Sequence, residues 1–152
     1  MSDEVPALDM SGLDVSRNQQ ARRLFDGIAS GYDLLSEILS FFQTGLWRRF
    51  LVSRLRVGPG DTVLDICTGT AGVAVQIAWT HGARVVGVDL SAEMLRRGQR
   101  NLSRAGQKDN VALLMGRAES LGFCDGCFDA VCFTYLLRYV DDPRVTLGEV
   151  VR

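Results

Sequence analysis

Nowhere in the 152 residues does an apolar run approach the roughly 20 positions needed to cross a bilayer, so an integral membrane segment is not expected. The N-terminus, MSDEVPALDMSG, is acidic and lacks the apolar stretch of a secretory leader, which points to a soluble cytoplasmic protein. An excess of one charge is missing as well. Seventeen Lys and Arg stand against 18 Asp and Glu, for a formal net charge of -1. Because the two signs interleave along most of the chain, no electrostatic footprint for nucleic acid or an anionic membrane emerges. The short clusters Arg22-Arg23, Arg48-Arg49 and Arg96-Arg97 read as solvated helix faces. Only four cysteines are present; Cys67 and Cys132 sit in apolar runs, where thiols serve as small buried hydrophobes, and no disulfide framework is expected. Cys124 and Cys127 have the C-x-x-C spacing of half a zinc site or a redox pair, but no second pair exists, so they read as loop thiols. His81, the single histidine, reads as a solvated turn residue, and no metal site is expected.

What the chain does hold is an ordinary globular mixture, 47% hydrophobic and 23% charged, enough for the core of one modest domain. There is no internal repeat and no low-complexity tract. Residues 1–15 are polar and aperiodic, as in a flexible arm. Residues 16–57 read as a helical region. Ser16 and Gln19 have capping-box spacing ahead of Leu24, Phe25 and Ile28, a second helical run follows through Leu34, Leu35, Ile38, Leu39 and Phe42, and a third carries Leu46, Trp47, Phe50, Leu51 and Leu55. The breaker cluster Gly58-Pro59-Gly60-Asp61 then opens residues 58–152, where short apolar runs alternate with helix-length segments.

That alternation marks βαβ units. The strand candidates are Thr62 to Ile66, Arg84 to Val88, Val111 to Met115 and Phe128 to Phe133. They are short, largely apolar runs, as suits parallel strands covered on both faces. Helices are expected near Val73 to Thr80 and over Ala92 to Ala105, the latter capped by Ser91 with Glu93 in its first turn. Another begins at Asp142-Pro143, with Asp142 as cap and Pro143 in the first helical position, where a missing N–H costs nothing.

The first strand runs into Asp65-Ile66-Cys67-Thr68-Gly69-Thr70-Ala71-Gly72, a strand, a small-residue loop and a helix start in the order that cradles a nucleotide-like ligand. Gly69 can adopt positive φ, Thr68, Thr70, Ala71 and Gly72 add little bulk, and the N–H groups of the next helix face the bound molecule. The G-x-G-x-x-G of a dinucleotide site is absent. A carboxylate, Asp65, stands at the strand end instead. Such a charge suits a ligand bearing an ammonium group, as the methionine moiety of S-adenosylmethionine does, better than a pyrophosphate. The second strand ends in Asp89, 24 residues later, where a carboxylate can accept both ribose hydroxyls of an adenosine, with Leu90 packing against the base.

On these residues the chain resembles class I S-adenosylmethionine methyltransferases, and specifically the ubiquinone/menaquinone-biosynthesis C-methyltransferase family. Phe25-Asp26-Gly27-Ile28-Ala29-Ser30-Gly31-Tyr32-Asp33 is similar to that family's N-terminal signature, and Leu46-Trp47-Arg48 to the tryptophan-arginine pair that follows. Ala118-Glu119-Ser120-Leu121-Gly122-Phe123, then Phe128-Asp129-Ala130-Val131, is similar to its approach to the fourth strand. The resemblance implies a Rossmann-like α/β methyltransferase fold with N-terminal helices. It also implies S-adenosylmethionine as cofactor, Gly69 and Thr70 lining its loop, Asp89 on the ribose, Arg117 and Ala118 beside the adenine, and Thr134 near the methionine end. Tyr32 would close over the cofactor or simply pack. Ala71 stands where glycine is usual, and Arg117 where an acidic or amide residue is usual; a guanidinium cannot accept from the adenine amino group, so weaker cofactor binding is expected. Ser36 and Tyr139 replace asparagines.

The fold so implied is truncated after the fourth strand, since Arg152 falls in the helix that follows it. Val131, Cys132 and Phe133 would then form an apolar sheet edge, covered by a second copy, which is the leading expectation, by a separate chain or by the displaced N-terminal helices; alternatively the chain is a fragment. Methyl transfer to a small molecule, a polyprenyl quinol precursor by resemblance, is the leading expectation. A non-catalytic module that binds cofactor or a partner stays open, and a nicotinamide-dependent oxidoreductase is disfavoured by the absent fingerprint. The catalytic base is unassigned; Tyr32 and Arg138 are weak candidates.

Overall fold

The computed structural model describes residues 45–134, 136–138 and 140–152. The arm at 1–15, the two helical runs before residue 44, Tyr32 and Tyr139 lie outside the described residues. The first described helix, α1, covers residues 45–54, over most of the expected third helical run. Then follow β1 (Thr62–Ile66), α2 (Gly72–His81), β2 (Arg84–Asp89), α3 (Ala92–Ala105), β3 (Val111–Met115), β4 (Ala130–Phe133), a short 3-10 turn at Leu136–Arg138 and α4 (Pro143–Val151). The expected strand and helix alternation holds from β1 to β3, whereas no helix lies between β3 and β4.

All four strands are parallel, in the order β3-β2-β1-β4. The winding reverses at β1, whose neighbours are β2 on one side and β4 on the other, and α/β sheets bind ligands at the carboxyl ends of the strands beside such a reversal. Alternate residues of β1 feed two separate cores. Val63 joins Val52 of α1, Ala74, Ile77 and Ala78 of α2, and Leu102 of α3 on one face. Leu64 and Ile66 join Val88, Ala118, Leu136 and Val140 on the other. Coverage on both faces is why the strands read as unbroken apolar runs rather than as alternating ones.

Both expected caps form. The Ser91 hydroxyl accepts from Met94 N at 3.3 Å, and the Asp142 carboxylate accepts from Arg144 N at 2.8 Å and Val145 N at 3.3 Å. The fourth strand is two residues shorter than expected. Asp129 accepts the Thr62 N–H on its carboxylate at 2.8 Å and donates its own N–H to Thr62 O at 2.9 Å, while Phe128 turns edge-on to Phe123 with ring centroids 4.9 Å apart. That entrance is closed by a side chain rather than by ladder pairing.

One expectation is corrected. Cys124 and Cys127 are not free loop thiols but a disulfide. The reason is the turn between them, where Gly126 takes φ 65° and brings the two Cα atoms to 5.6 Å, inside the bridging range. Cys67 and Cys132 are free. Among the described residues, no helix is long and apolar enough to cross a membrane and no cluster of His, Cys, Asp and Glu could hold a metal ion.

Gly98 is where α3 meets the loop after β1. A Cβ there would stand 2.8 Å from Leu113 Cδ1 and 3.4 Å from Ala71 Cβ. Gly98→Ala should therefore cost about 1–3 kcal/mol through overpacking, read as a lower urea midpoint with an unchanged slope. A midpoint equal to wild type would show that Leu113 yields freely.

Candidate functional site

The loop after β1 is built from alternating backbone hands. Cys67, Gly69 and Ala71 have φ of 59°, 57° and 63°, while Thr68 and Thr70 between them are not in the positive-φ region. Such alternation turns successive N–H groups toward one side and forms a concave donor surface. Two of the three left-handed positions are not glycine, and each costs on the order of 1–3 kcal/mol that the surroundings must over-determine. The surroundings do so with bonds to neighbouring elements. Thr68 N donates to Val88 O at 3.1 Å, and Asn101 of α3 donates from Nδ2 to Thr70 O at 3.1 Å. Ala71, the N-cap of α2, supplies no side-chain cap, and no acidic residue lies in the first turn of that helix. The first turn thus keeps a positive end that side chains of the helix do not quench.

Asp89 closes the other side. Its Oδ2 accepts from Gly69 N at 2.7 Å and its Oδ1 from Ser91 N at 2.9 Å. The half-buried carboxylate is thereby fixed between the loop after β1 and the start of α3, at the carboxyl end of β2. Leu90 follows it, half-buried.

Asp65 is placed differently from the expectation of a carboxylate open to a ligand. It is 1% exposed, on the β1 face that also carries Val63. Its Oδ2 accepts from the Thr68 hydroxyl at 2.6 Å and its Oδ1 lies 3.5 Å from the Cys132 thiol, which donates. Burial pushes its pKa up to about 6; the Thr68 and Cys132 bonds pull the other way, and the nearby Asp89 charge adds to the rise. Both of its oxygens are thus engaged by neighbouring side chains, and Thr68 is the one of them that lies in the loop. The same burial pushes the Cys67 thiol up to about 12, helped by the Asp89, Asp65 and Glu119 charges, and raises Cys132 further, so neither is a thiolate nucleophile.

Space for this arrangement comes from Gly87, the register partner of Asp65 on β2. A Cβ at that position would stand 2.8 Å from Thr68 Oγ1 and 2.7 Å from Leu113 Cδ2. Sequence reasoning missed Gly87, Asn101 and Gly98. The two glycines sit inside a strand and a helix, where an isolated glycine is a usable signal of close backbone approach. Arg48, which the sequence places in a solvated pair and in the tryptophan-arginine resemblance but not at the loop, has its guanidinium 2.7–2.9 Å from where a Gly72 Cβ would be, over the N-terminus of α2.

The remaining expected residues gather near the same strand ends. Ala118 is buried at 8% exposure in the core that holds Ile66 and Val88. Thr134 is half-buried immediately past β4. Arg117 pairs with Glu119 at 3.7 Å and Asp141 at 3.5 Å, so its guanidinium is directed at carboxylates of the protein. Arg138 lies in the 3-10 turn.

A parallel sheet reversing at β1, with a small-residue loop and an acidic residue ending β2, defines the Rossmann-like fold of class I methyltransferases. The solved structures agree. The chain superposes with TM-score 0.69 and 29% identity on a methyltransferase in complex with the Haloferax volcanii Trm112 activator, covering 83% of this chain and 53% of that one. Geranyl diphosphate C-methyltransferase from Streptomyces coelicolor, in complex with Mg2+, geranyl diphosphate and S-adenosyl-L-homocysteine, superposes with TM-score 0.65 and 28% identity over 69% of this chain and 39% of that one. Residues 13–152 match the ubiE/COQ5 methyltransferase family, and the chain belongs to it. It is 40% identical to the demethylmenaquinone methyltransferase of Mycobacterium marinum over 96% of its own length and 57% of that protein's. With the ubiquinone/menaquinone biosynthesis C-methyltransferase UbiE of Geotalea uraniireducens it shares 35% identity over 90% and 59%. The chain thus spans little more than half the length of these relatives.

The Asp65 shift has a definite sign. Its folded pKa, about 6, lies above the ordinary 3.8, so the unfolded chain releases this proton first. Stability contributed by the neutral acid is full below about pH 4 and declines, by up to about 3 kcal/mol, until the folded pKa is passed. Urea unfolding from about pH 4 to pH 8 should show wild type losing ground to Asp65→Asn up to about pH 6 and running parallel above it. Parallel curves throughout would mean that Asp65 titrates normally.

Proposed function

We propose that this chain carries the cofactor-binding part of an S-adenosylmethionine-dependent methyltransferase acting on a small molecule, with a polyprenyl quinol precursor as the acceptor and carbon as the methylated atom. The observation that carries the reading is the junction of Gly69 and Asp89, with a donor-rich concave loop on one side and a fixed carboxylate on the other. The residues fit the cofactor. No Cβ-level obstruction stands within 4 Å of Gly69, the α2 N-terminus lacks a side-chain cap, and Asp89 is held at a β2 end where a ribose would meet it.

In this reading Asp89 accepts from the ribose hydroxyls, Leu90 and Ala118 border the adenine, and Arg117 flanks it. Thr68, Gly69 and Thr70 shape the loop, and Thr134 stands near the methionine end. Asp65 orients the Thr68 hydroxyl and supplies negative potential toward an ammonium group. Tyr32 remains a proposed cover from the N-terminal side. The bound cofactor supplies a methyl group on a positive sulfur. What the chain adds is register, since holding two reactants in line supplies much of the acceleration of a displacement.

The acceptor names of the relatives support the quinol precursor, and activity of the 152 residues alone is part of the proposal. A binding module without turnover is the second reading, in keeping with a site in which no catalytic base is assigned. A cytoplasmic setting and a covered β4 edge, by a second copy first, complete the reading. β4 is the outer strand of the described sheet, with one row of backbone donors and acceptors unmatched by a strand.

Calorimetry with S-adenosylhomocysteine should give saturable heat, and Asp89→Asn should weaken it roughly ten- to a hundredfold, the usual value of charge-assisted bonds, with thermal melting as the check on folding. Absent heat in a folded wild type removes the cofactor reading. Heat without transfer of labelled methyl to a demethylated quinol leaves the binding module.

A further inference from the structure

The charge balance of the whole chain conceals a local imbalance. From residue 45 through residue 60 the sequence holds four arginines, Arg48, Arg49, Arg54 and Arg56, and no carboxylate. α2 has none either. These two helices meet: a cleft of about 590 Å³ between them is lined by Arg48, Arg49 and Val52 from α1 and by Gly72, Val75 and Trp79 from α2.

The apolar residues of α1 are divided between two faces. Val52 is 1% exposed in the core and Leu51 and Leu55 are half-buried, so one side of the helix already satisfies the packing against the sheet. The opposite side carries Leu46, Trp47 and Phe50 at 65%, 69% and 51% exposure. Trp79, lining the shared cleft from α2, is 76% exposed. Arg49, Arg54 and Arg56 are exposed among them. Arg54 lies with its guanidinium carbon 4.8 Å from the centroid of the Phe50 ring, and Trp47 meets the same ring edge-on at 6.2 Å. A water-facing helix gains nothing from large aromatic rings, and several in one place mark an interaction surface.

We propose that the outer face of α1, continued by Trp79, docks on an anionic phospholipid bilayer. Tryptophan, phenylalanine and leucine partition into the boundary between headgroups and acyl chains, while arginines beside them engage phosphates with their stems lying along the apolar layer. The lack of any carboxylate over residues 45–60 removes the repulsion that would oppose such contact. Protruding apolar rings distinguish this face from a duplex-binding surface, where arginines reach phosphates without an apolar layer to enter; a single strand, whose bases stack on such rings, is the competing occupant in the test. The proposal is independent of methyl transfer, because neither Trp47, Trp79 nor the exposed arginines belong to the cofactor loop.

The test uses the whole chain with vesicles of phosphatidylglycerol mixed with phosphatidylcholine, and with phosphatidylcholine alone. Trp47 and Trp79 are the only two tryptophans, so emission reports this face directly. Flotation with the anionic vesicles and a blue shift of emission are expected, both diminished by salt. Arg49→Gln combined with Arg54→Gln and Arg56→Gln should weaken vesicle binding on the order of a hundredfold, at about a factor of five for each arginine near a surface. Trp47→Ser should weaken it with the arginines intact. Unchanged circular dichroism keeps both variants interpretable, and S-adenosylhomocysteine binding is measured in parallel to separate this failure from that of the methyltransferase reading. The proposal is overturned by equal binding to neutral vesicles, or by arginine-dependent binding to a DNA duplex or a single-stranded oligonucleotide in preference to vesicles at equal phosphate. It is also overturned if emission is already blue-shifted in a sedimenting dimer that ignores vesicles.

Discussion

The bond from Gly69 N–H to Asp89 Oδ2, at 2.7 Å, joins the two parts of the molecule on which the rest of the site is arranged. It links the loop after β1 to the end of β2 and demands that residue 69 adopt a left-handed backbone, φ 57°. Once that bond is made, the same carboxylate reaches Ser91 N–H with its second oxygen, and Ser91 in turn caps α3. A single acidic side chain thereby sets the direction of a loop, the start of a helix and the position of a negative charge at the sheet's carboxyl edge. Hydrogen bonds to an ionised acceptor are among the stronger ones available.

Beneath it lies a second carboxylate under opposite conditions. Asp65 has lost nearly all its water, and two neutral donors, a hydroxyl and a thiol, replace that water incompletely. The consequence is a raised pKa rather than a salt bridge. Two acidic groups near one another on adjacent strands would repel if both were ionised, and the burial of one lessens that cost. The glycine at position 87 is the steric counterpart, since Thr68 occupies the volume that any side chain on that strand residue would claim. Electrostatics and packing here constrain the same hydroxyl.

Away from the strand ends, the helices divide their labour by face. α2 and α3 press small residues onto the sheet: Ala74 and Ala78 are at most 4% exposed, and Gly98 touches the region of Leu113 and Ala71. α1 buries one apolar stripe and keeps another outside. The Cys124–Cys127 bridge closes the turn before β4 on itself, and the contacts of Arg152 with Phe123 O and Asp125 tie that turn to the end of α4, at the edge of the sheet opposite β3.

Much of the fold was legible because it depends on neighbours in sequence. The strands follow from apolar runs, α3 from Ser91 and Glu93 at its start, and α4 from Asp142 and Pro143, since period, caps and turn residues act over a few positions. That Asp65 and Asp89 stand near the carboxyl ends of adjacent strands was visible from their places in the sequence. Their different states were not. That Asp65 is buried and bonded while Asp89 is held part-exposed depends on Thr68, Gly87 and Cys132, which lie close only after β1, β2 and β4 pair in register. The disulfide likewise needed a turn geometry that spacing alone leaves open, and the attachment of Arg117 to Glu119 and Asp141 joins a loop to a helix entrance far along the chain. Local chemistry wrote the elements. Burial, a cooperative property of the assembled sheet, decided which charge faces inward and which outward.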